Sequence, residues 1–151
     1  MNKKYELVIL GGGPAGLSAG LYTSRARLSS LLIERGLVGG QIANAERVDN
    51  FPGFPEGISG LELAQLMHQQ ATKYGLETLL AEVTGIEVKG EPKVIKTTEA
   101  NLTAKVVIIA TGSERSKLGI PGEKEFAGRG VSYCATCDGA FFQKQPVAVV
   151  G

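Results

Sequence analysis

Apolar residues near the start of the chain fall in short unbroken blocks rather than helical stripes. Tyr5 to Leu10 is rich in aliphatic residues and halted by glycine, the pattern of a strand buried on both faces. Pro14 to about Ser24 predicts a helix, with proline in the first turn, where a missing N–H costs nothing. Leu17 and Leu21, beside the small residues Ala15, Ala19 and Gly20, would let it pack closely on a sheet. Ser30 to Glu34 predicts a second strand, so the chain begins with one βαβ unit. Gly36 to Gly60 shows no periodicity, and a loop of that length in a compact domain is usually functional. Ser59-Gly60-Leu61-Glu62 has the form of a capping box. It opens a helix with Leu63, Leu66, Met67, Ala71 and Tyr74 at core-facing spacing and Gly75 as its stop. From Glu77 to Thr103, short alternating segments around Val83, Ile86–Val88 and Val94-Ile95 predict a small antiparallel meander over the parallel sheet. Lys105 to Ala110 is a further buried strand ending at Thr111-Gly112, and Gly119-Ile120-Pro121-Gly122 reads as a linker or crossover. The final run, Pro146 to Val150, reads as a strand entering Gly151, much as Tyr5 runs into Gly11.

Composition narrows the classes. Of 151 residues, 43% are hydrophobic and 21% charged, as in an ordinary globular domain. Sixteen Lys and Arg nearly balance fifteen Asp and Glu and form no stripe, which argues against a nucleic acid partner. No apolar segment approaches the roughly 20 residues that cross a bilayer. The basic start Met1-Asn2-Lys3-Lys4 leads into an apolar run too short for a signal peptide, and the chain reads as cytoplasmic. Both cysteines lie in one Cys-x-x-Cys. Structural zinc takes four ligands, and two Cys with one distant His68 do not supply them, so no metal is expected and a redox pair is. His68, between Met67 and Gln69-Gln70, reads as a solvated surface residue.

Two motifs carry chemistry. In Gly11-Gly12-Gly13-Pro14-Ala15-Gly16, Gly11 makes a tight bend, Gly13 admits a pyrophosphate and Gly16 allows close helix–strand contact. The anion then sits at the helix N-terminus, where free N–H groups and the positive dipole end favour it. Glu34 follows Gly16 by 18 residues at the end of the second strand. A carboxylate there accepts from both ribose hydroxyls and disfavours a 2′-phosphate, so NADP is a poor occupant of this first site. The second motif is Cys134-Ala135-Thr136-Cys137-Asp138. Ser132 or Cys134 stands near a helix start, because Gly128-Arg129-Gly130 resists helix, and a helix N-terminus stabilises thiolate. Asp138 is placed to carry the proton a departing thiolate needs, or is an ordinary surface acid. About 30 mV is worth only 1.4 kcal/mol for such a couple, so modest local electrostatics can poise it against a flavin.

On these motifs, with Gly39-Gly40-Gln41, Asp49-Asn50-Phe51-Pro52-Gly53 and Ala110-Thr111-Gly112, the chain resembles the low-molecular-weight thioredoxin reductases along essentially its whole length. The resemblance implies an α/β, Rossmann-like FAD-binding fold, a parallel sheet plus a small antiparallel meander. It implies that residues 1–115 are the N-terminal part of this FAD domain and 116–151 the beginning of a Rossmann-like NADPH domain bearing the Cys pair. Gly11, Gly13, Pro14, Ala15, Gly16 and Glu34 would hold FAD. Gly40, Gln41 and Asn50 would lie along its ribityl and isoalloxazine part, Val83 would meet the adenine end through its backbone, and Thr111 and Gly112 would line the cofactor. Cys137 would be the sulfur nearest the flavin, Cys134 the attacker of the substrate disulfide and Asp138 the acid/base. The implied activity passes electrons from NADPH through FAD and the Cys pair to thioredoxin or a thioredoxin-like protein, in a homodimer. Most of the NADPH site would lie beyond Gly151, so the chain is expected to be about half of a longer protein. Alone, it is expected to bind FAD weakly and not to turn over NADPH. Two rivals stand beside this: a flavin reductase of the same fold taking electrons from another donor such as ferredoxin, and a non-catalytic nucleotide-binding module.

Overall fold

The computed structural model describes residues 3–150, with the side chains of Thr136 and Cys137 outside the described set. The chain divides into two compact units, Met1–Gly112 and Ser113–Gly151. In the first, the opening apolar block forms β1 (Lys3–Leu10), followed by α1 (Pro14–Arg25) and β2 (Ser30–Glu34). Then come α2 (Gly60–Lys73), β3 (Glu77–Leu80), β4 (Val83–Glu87), β5 (Lys93–Thr97) and β6 (Asn101–Ile109). The fold class is α/β.

One six-stranded sheet runs β3-β2-β1-β6-β5-β4. β1 is central, and Leu7 stands opposite Ser30 on one side and Val106 on the other, both pairings parallel. The uninterrupted apolar run of β1 follows from this position. Leu7 and Ile9 pack under the helices with Leu17 of α1, Leu32 and Ala71 of α2. Val8 and Leu10 point to the opposite face, with Leu31, Ile33, Ile95 and Leu102. From Leu7 to Leu10 alternation is present, but both faces are covered, so no polar residue marks it.

The antiparallel meander exists, with two differences from its sequence reading. β6 starts at Asn101 rather than Lys105: its first residues pair antiparallel with β5 while the strand pairs in parallel with β1, so the meander continues the sheet. Its Ile86, Ile95 and Val83 nevertheless pack with Val8 and Leu10, which places it over the parallel strands as well. Glu77–Leu80, read as part of the meander, is instead a parallel edge strand beside β2. Four residues, exposed at both ends and half-buried between, carry too little pattern to show their partner's direction.

In α2, Ser59 Oγ accepts the Glu62 N–H at 3.1 Å, the serine half of the expected box. Gly75 follows the helix at φ 94°, the left-handed conformation a C′ glycine supplies. The expected stripe splits: Leu63 and Ala71 are buried, whereas Leu66 and Tyr74 are exposed. Leu66 lines an open groove with Leu21, Phe51 and Phe54 instead of filling the core. His68 is half-buried with Nε2 3.1 Å from Thr78 Oγ1 of β3, not a solvated surface residue. The long loop is ordered without being regular. It holds a 3₁₀ turn at Gly40–Asn44 and a two-bond bridge between Val48 and Ile58, over a small core shared with Leu63, Phe51 and Phe54.

The second unit contains one helical turn, α3 (Ala135–Asp138), and a 3₁₀ turn at Gly139–Phe142. Residues 146–150 are not a strand. They find no ladder partner among the described residues, and Val147, Val149 and Val150 are exposed. Gly151, read as the first glycine of a second fingerprint, lies outside the described residues.

Candidate functional site

The first centre is the turn from β1 into α1. Gly11 takes φ 105°, its N–H donates to the Ile33 carbonyl at 2.8 Å, and a Cβ there would fall 2.3 Å from the Ala110 carbonyl oxygen. Only glycine fits. A Cβ on Gly16 would fall 1.8 Å from the Gly11 oxygen, which is how closely α1 approaches the strand it leaves. Gly13 differs: it caps α1 in extended backbone, and a Cβ there would meet nothing within 4 Å. The helix has no side-chain cap and no acid in its first turn. Its leading N–H groups and positive dipole end are therefore left without a side-chain cap, beside the open position at Gly13, which suits an anion.

Around this turn the fold gathers most of the expected residues. Glu34 Oε2 accepts the Gly12 N–H at 2.7 Å and Oε1 accepts the Gly36 N–H at 2.9 Å. The carboxylate is thereby fixed beside the turn, and each oxygen keeps a lone pair for a further donor such as a ribose hydroxyl. Gly39 donates its N–H to the Gly12 carbonyl at 2.8 Å, and a Cβ on Gly40 would stand 3.1 Å from Gly13 Cα. The loop from residue 36 thus lies against the glycine turn, with Gln41 next along it in the 3₁₀ turn. Thr111 adjoins Gly11 through Ala110, whose N–H donates to the Leu10 carbonyl at 2.8 Å, and Gly112 follows at φ 68°. Val83 is joined indirectly: the Ala81 N–H donates to the Glu34 carbonyl at 2.9 Å, two residues before β4 begins. Asn50 is exposed in the long loop, and no described contact ties it to the turn. The residues present fit a dinucleotide: two positions where a Cβ would collide, one left open, an uncapped helix and a fixed carboxylate.

Sequence reasoning missed the amides that hold Glu34 in place. Gly12 and Gly36 carried no role of their own in the sequence, and their N–H groups give no signal in residue type. Gly39, at φ 122°, stood out only as part of the Gly39-Gly40-Gln41 motif, with no role of its own.

The second centre lies in the second unit. Cys134 immediately precedes α3 and is disulfide-bonded, and its carbonyl accepts the Asp138 N–H at 2.9 Å. The Cys137 side chain, expected to be the flavin-proximal sulfur, lies outside the described residues. The helix is a single turn, so it offers Cys134 less dipole than a full helix would. The Ser132 hydroxyl meets both the Cys134 N–H, at 3.1 Å, and Asp138 Oδ2, at 2.5 Å. Behind it, Glu123 is buried at 4% exposure and accepts the Leu118 N–H, the Gly119 N–H and the Tyr133 hydroxyl. The Tyr133 hydroxyl above all, then the backbone amides, hold the Glu123 carboxyl below its ordinary value against the opposing effect of burial. Glu123 in turn pushes the Tyr133 phenol up. Nothing in the sequence singled out Glu123, one acid among fifteen. Among the described residues, no cluster of His, Cys, Asp or Glu could hold a metal ion, and no helix is long and apolar enough to cross a membrane.

The sequence matches the model of the pyridine nucleotide-disulphide oxidoreductase family over residues 5–151. The chain belongs to this family. Among its relatives, the thioredoxin reductase of Bacillus subtilis is 52% identical over 149 residues, covering 99% of this chain and 47% of that protein. The thioredoxin reductase of Listeria monocytogenes is 46% identical over 149 residues, with 99% and 46% covered. Among solved structures, the FR conformation of Lactococcus lactis thioredoxin reductase is similar with a TM-score of 0.78 and 48% identity, covering 91% of this chain and 45% of that one. The chain therefore spans about half the length of the curated relatives it matches.

Proposed function

We propose that this oxidoreductase sequence serves a thioredoxin reductase in which electrons pass from NADPH through FAD to a Cys134–Cys137 disulfide and on to thioredoxin or a thioredoxin-like protein. The observation that carries the reading is the disulfide-bonded Cys134, set one helical turn before Asp138, in a chain that also builds an open dinucleotide cradle. Gly11, Gly13, Pro14, Ala15 and Gly16 would seat the FAD pyrophosphate on the N-terminus of α1, and Glu34 would take the adenosine ribose. Val83 would border the adenine, Thr111 and Gly112 would line the cofactor, and Gly40, Gln41 and Asn50 would run along its flavin half. Residues 1–115 would form part of the FAD domain, and 116–151 the start of an NADPH domain. The two compact units, which part at Gly112 and Ser113, support a division there; cysteine usage supports a cytoplasmic protein less directly, and the homodimer rests on the family resemblance alone.

Bound in the cradle, FAD would supply the two-electron chemistry that links a reduced nicotinamide to the Cys pair. The rest falls to the chain's own groups. Reduced Cys134 attacks one sulfur of the thioredoxin disulfide, forming a mixed disulfide while the other thioredoxin sulfur leaves with a proton held by Asp138. Cys137 then attacks the Cys134 sulfur, releasing dithiol thioredoxin and closing the Cys134–Cys137 bond. Photoreduction of the FAD-loaded protein, followed by alkylation and mass measurement, tests the reading. Both cysteines should take the label once the flavin is reduced, and a flavin that bleaches while the cysteines stay unlabelled overturns it.

A further inference from the structure

We propose that Ser132 is a positioning residue that aims the Asp138 carboxyl at the sulfur chemistry. The inference rests on the reading of Asp138 as acid/base and adds the group that fixes it. The Ser132 hydroxyl stands at a crossing of three bonds. It accepts the Cys134 N–H at 3.1 Å, and its oxygen stands 2.5 Å from Asp138 Oδ2 against 3.4 Å from the Cys134 carbonyl oxygen, so the hydroxyl donates to the carboxylate. One side chain therefore spans the Cys-x-x-Cys turn, joining the residue two before Cys134 to the residue after Cys137. The backbone closes the same turn through the Asp138 N–H on the Cys134 carbonyl at 2.9 Å. That bond fixes where the Asp138 main chain sits, and the serine fixes how its carboxyl turns.

Ser132 is itself held. Its neighbour Tyr133 is anchored by a 2.5 Å bond from its hydroxyl to Glu123, which also gathers the Leu118 and Gly119 amides. Side chains 132 and 133 thus tie one short segment to two partners, Asp138 on one side and the buried Glu123 on the other. A proton donor assists a leaving thiolate only when it is within reach and correctly turned. Assistance matters where the departing thiol is basic and little where it is acidic, because a low-pKa thiolate leaves readily by itself. A positioning role therefore predicts a dependence on leaving group, which loss of structure would not produce.

The test uses the reduced chain and two disulfide probes. With bis(2-hydroxyethyl) disulfide, Cys134 attacks one sulfur and 2-mercaptoethanol departs with a proton. Cys137 then displaces the second 2-mercaptoethanol, so the probe gains the two electrons and two protons that the dithiol loses. With 5,5′-dithiobis(2-nitrobenzoate) the electron count is the same, but the leaving thiolate needs no proton. Ser132→Ala should slow the first exchange about tenfold, a part of the typical acid–base contribution, and leave the second within about twofold. Ser132→Thr, which keeps the hydroxyl, should restore the first rate. Asp138→Asn should slow the alkyl exchange at least as much, and Ser132→Ala added to it should cost nothing further. Equal slowing with both probes, or an additive double variant, overturns the role of Ser132 while leaving Asp138 as acid/base intact. An unchanged Asp138→Asn rate overturns the reading of Asp138 and this inference with it.

Discussion

Single residues in this chain act mostly through what their backbone or carboxyl is bonded to, which residue type alone does not reveal. Glu123 is the clearest case. Its carboxyl lies below the ordinary glutamate value of 4.5 because of the Tyr133 hydroxyl first and the Leu118 and Gly119 amides next, which outweigh burial. A depressed folded value means the ionised form favours folding. That contribution is complete above about 4.5 and fades as the pH falls through the lower folded value. The Leu118 and Gly119 amide resonances should therefore titrate with a midpoint below 4.5, moving upward in Tyr133→Phe and vanishing as a titration in Glu123→Gln. A midpoint at or above the ordinary value would contradict the bond network. Glu34 and Asp138, by contrast, were legible in the sequence, because each sits at a fixed offset from a motif. What the motif could not show is that amides of Gly12 and Gly36 clamp the one and Ser132 clasps the other.

At the scale of elements, β1, α1 and β2 were readable because their information is local: a short aliphatic block, a proline at the helix start, and a second block ending in an acid. β3 and residues 146–150 misled for the same reason in reverse. A strand exists by virtue of its partner, and neither segment carries its partner in its own pattern. The β1–α1 junction allows a sharper test, since its glycines have different duties. Gly16→Ala puts a methyl 1.8 Å from the Gly11 carbonyl oxygen, so strand and helix must separate. It should destabilise the first unit by about 1–3 kcal/mol or more, the usual cost of overpacking. Gly13→Ala places a methyl in open space on ordinary backbone of φ −74°, so the melting midpoint should barely move. Retention of added FAD, read by quenching of its fluorescence, should nonetheless fall in Gly13→Ala, because the methyl occupies the room an approaching phosphate needs. A Gly13→Ala protein that is as stable as wild type and holds FAD equally well would remove the cradle from the proposal.

The two units of the whole molecule are held by different means. The three apolar clusters all draw on residues before 113, whereas in the second unit Glu123 is the only buried residue among the described side chains. Hydrophobic burial is the main favourable term in folding. The first unit therefore has the means to stand alone, and the second depends on a hydrogen-bonded hub and on the disulfide at Cys134. At the start of the second unit, residues 113–120 are exposed throughout and form no regular structure, and they include Arg115 and Lys117. Proteases cut where backbone is exposed and can be drawn out locally. Brief trypsin treatment should therefore leave a resistant fragment ending at Arg115 or Lys117, while the basic residues of the first unit, such as Arg47 paired with Asp49, are spared. That fragment should melt cooperatively near the midpoint of the first unit in the intact chain, and the peptide after it should show no cooperative transition. A first cut before residue 110, or a fragment that unfolds once the second unit is removed, would mean that the stability of the βαβ unit is not its own.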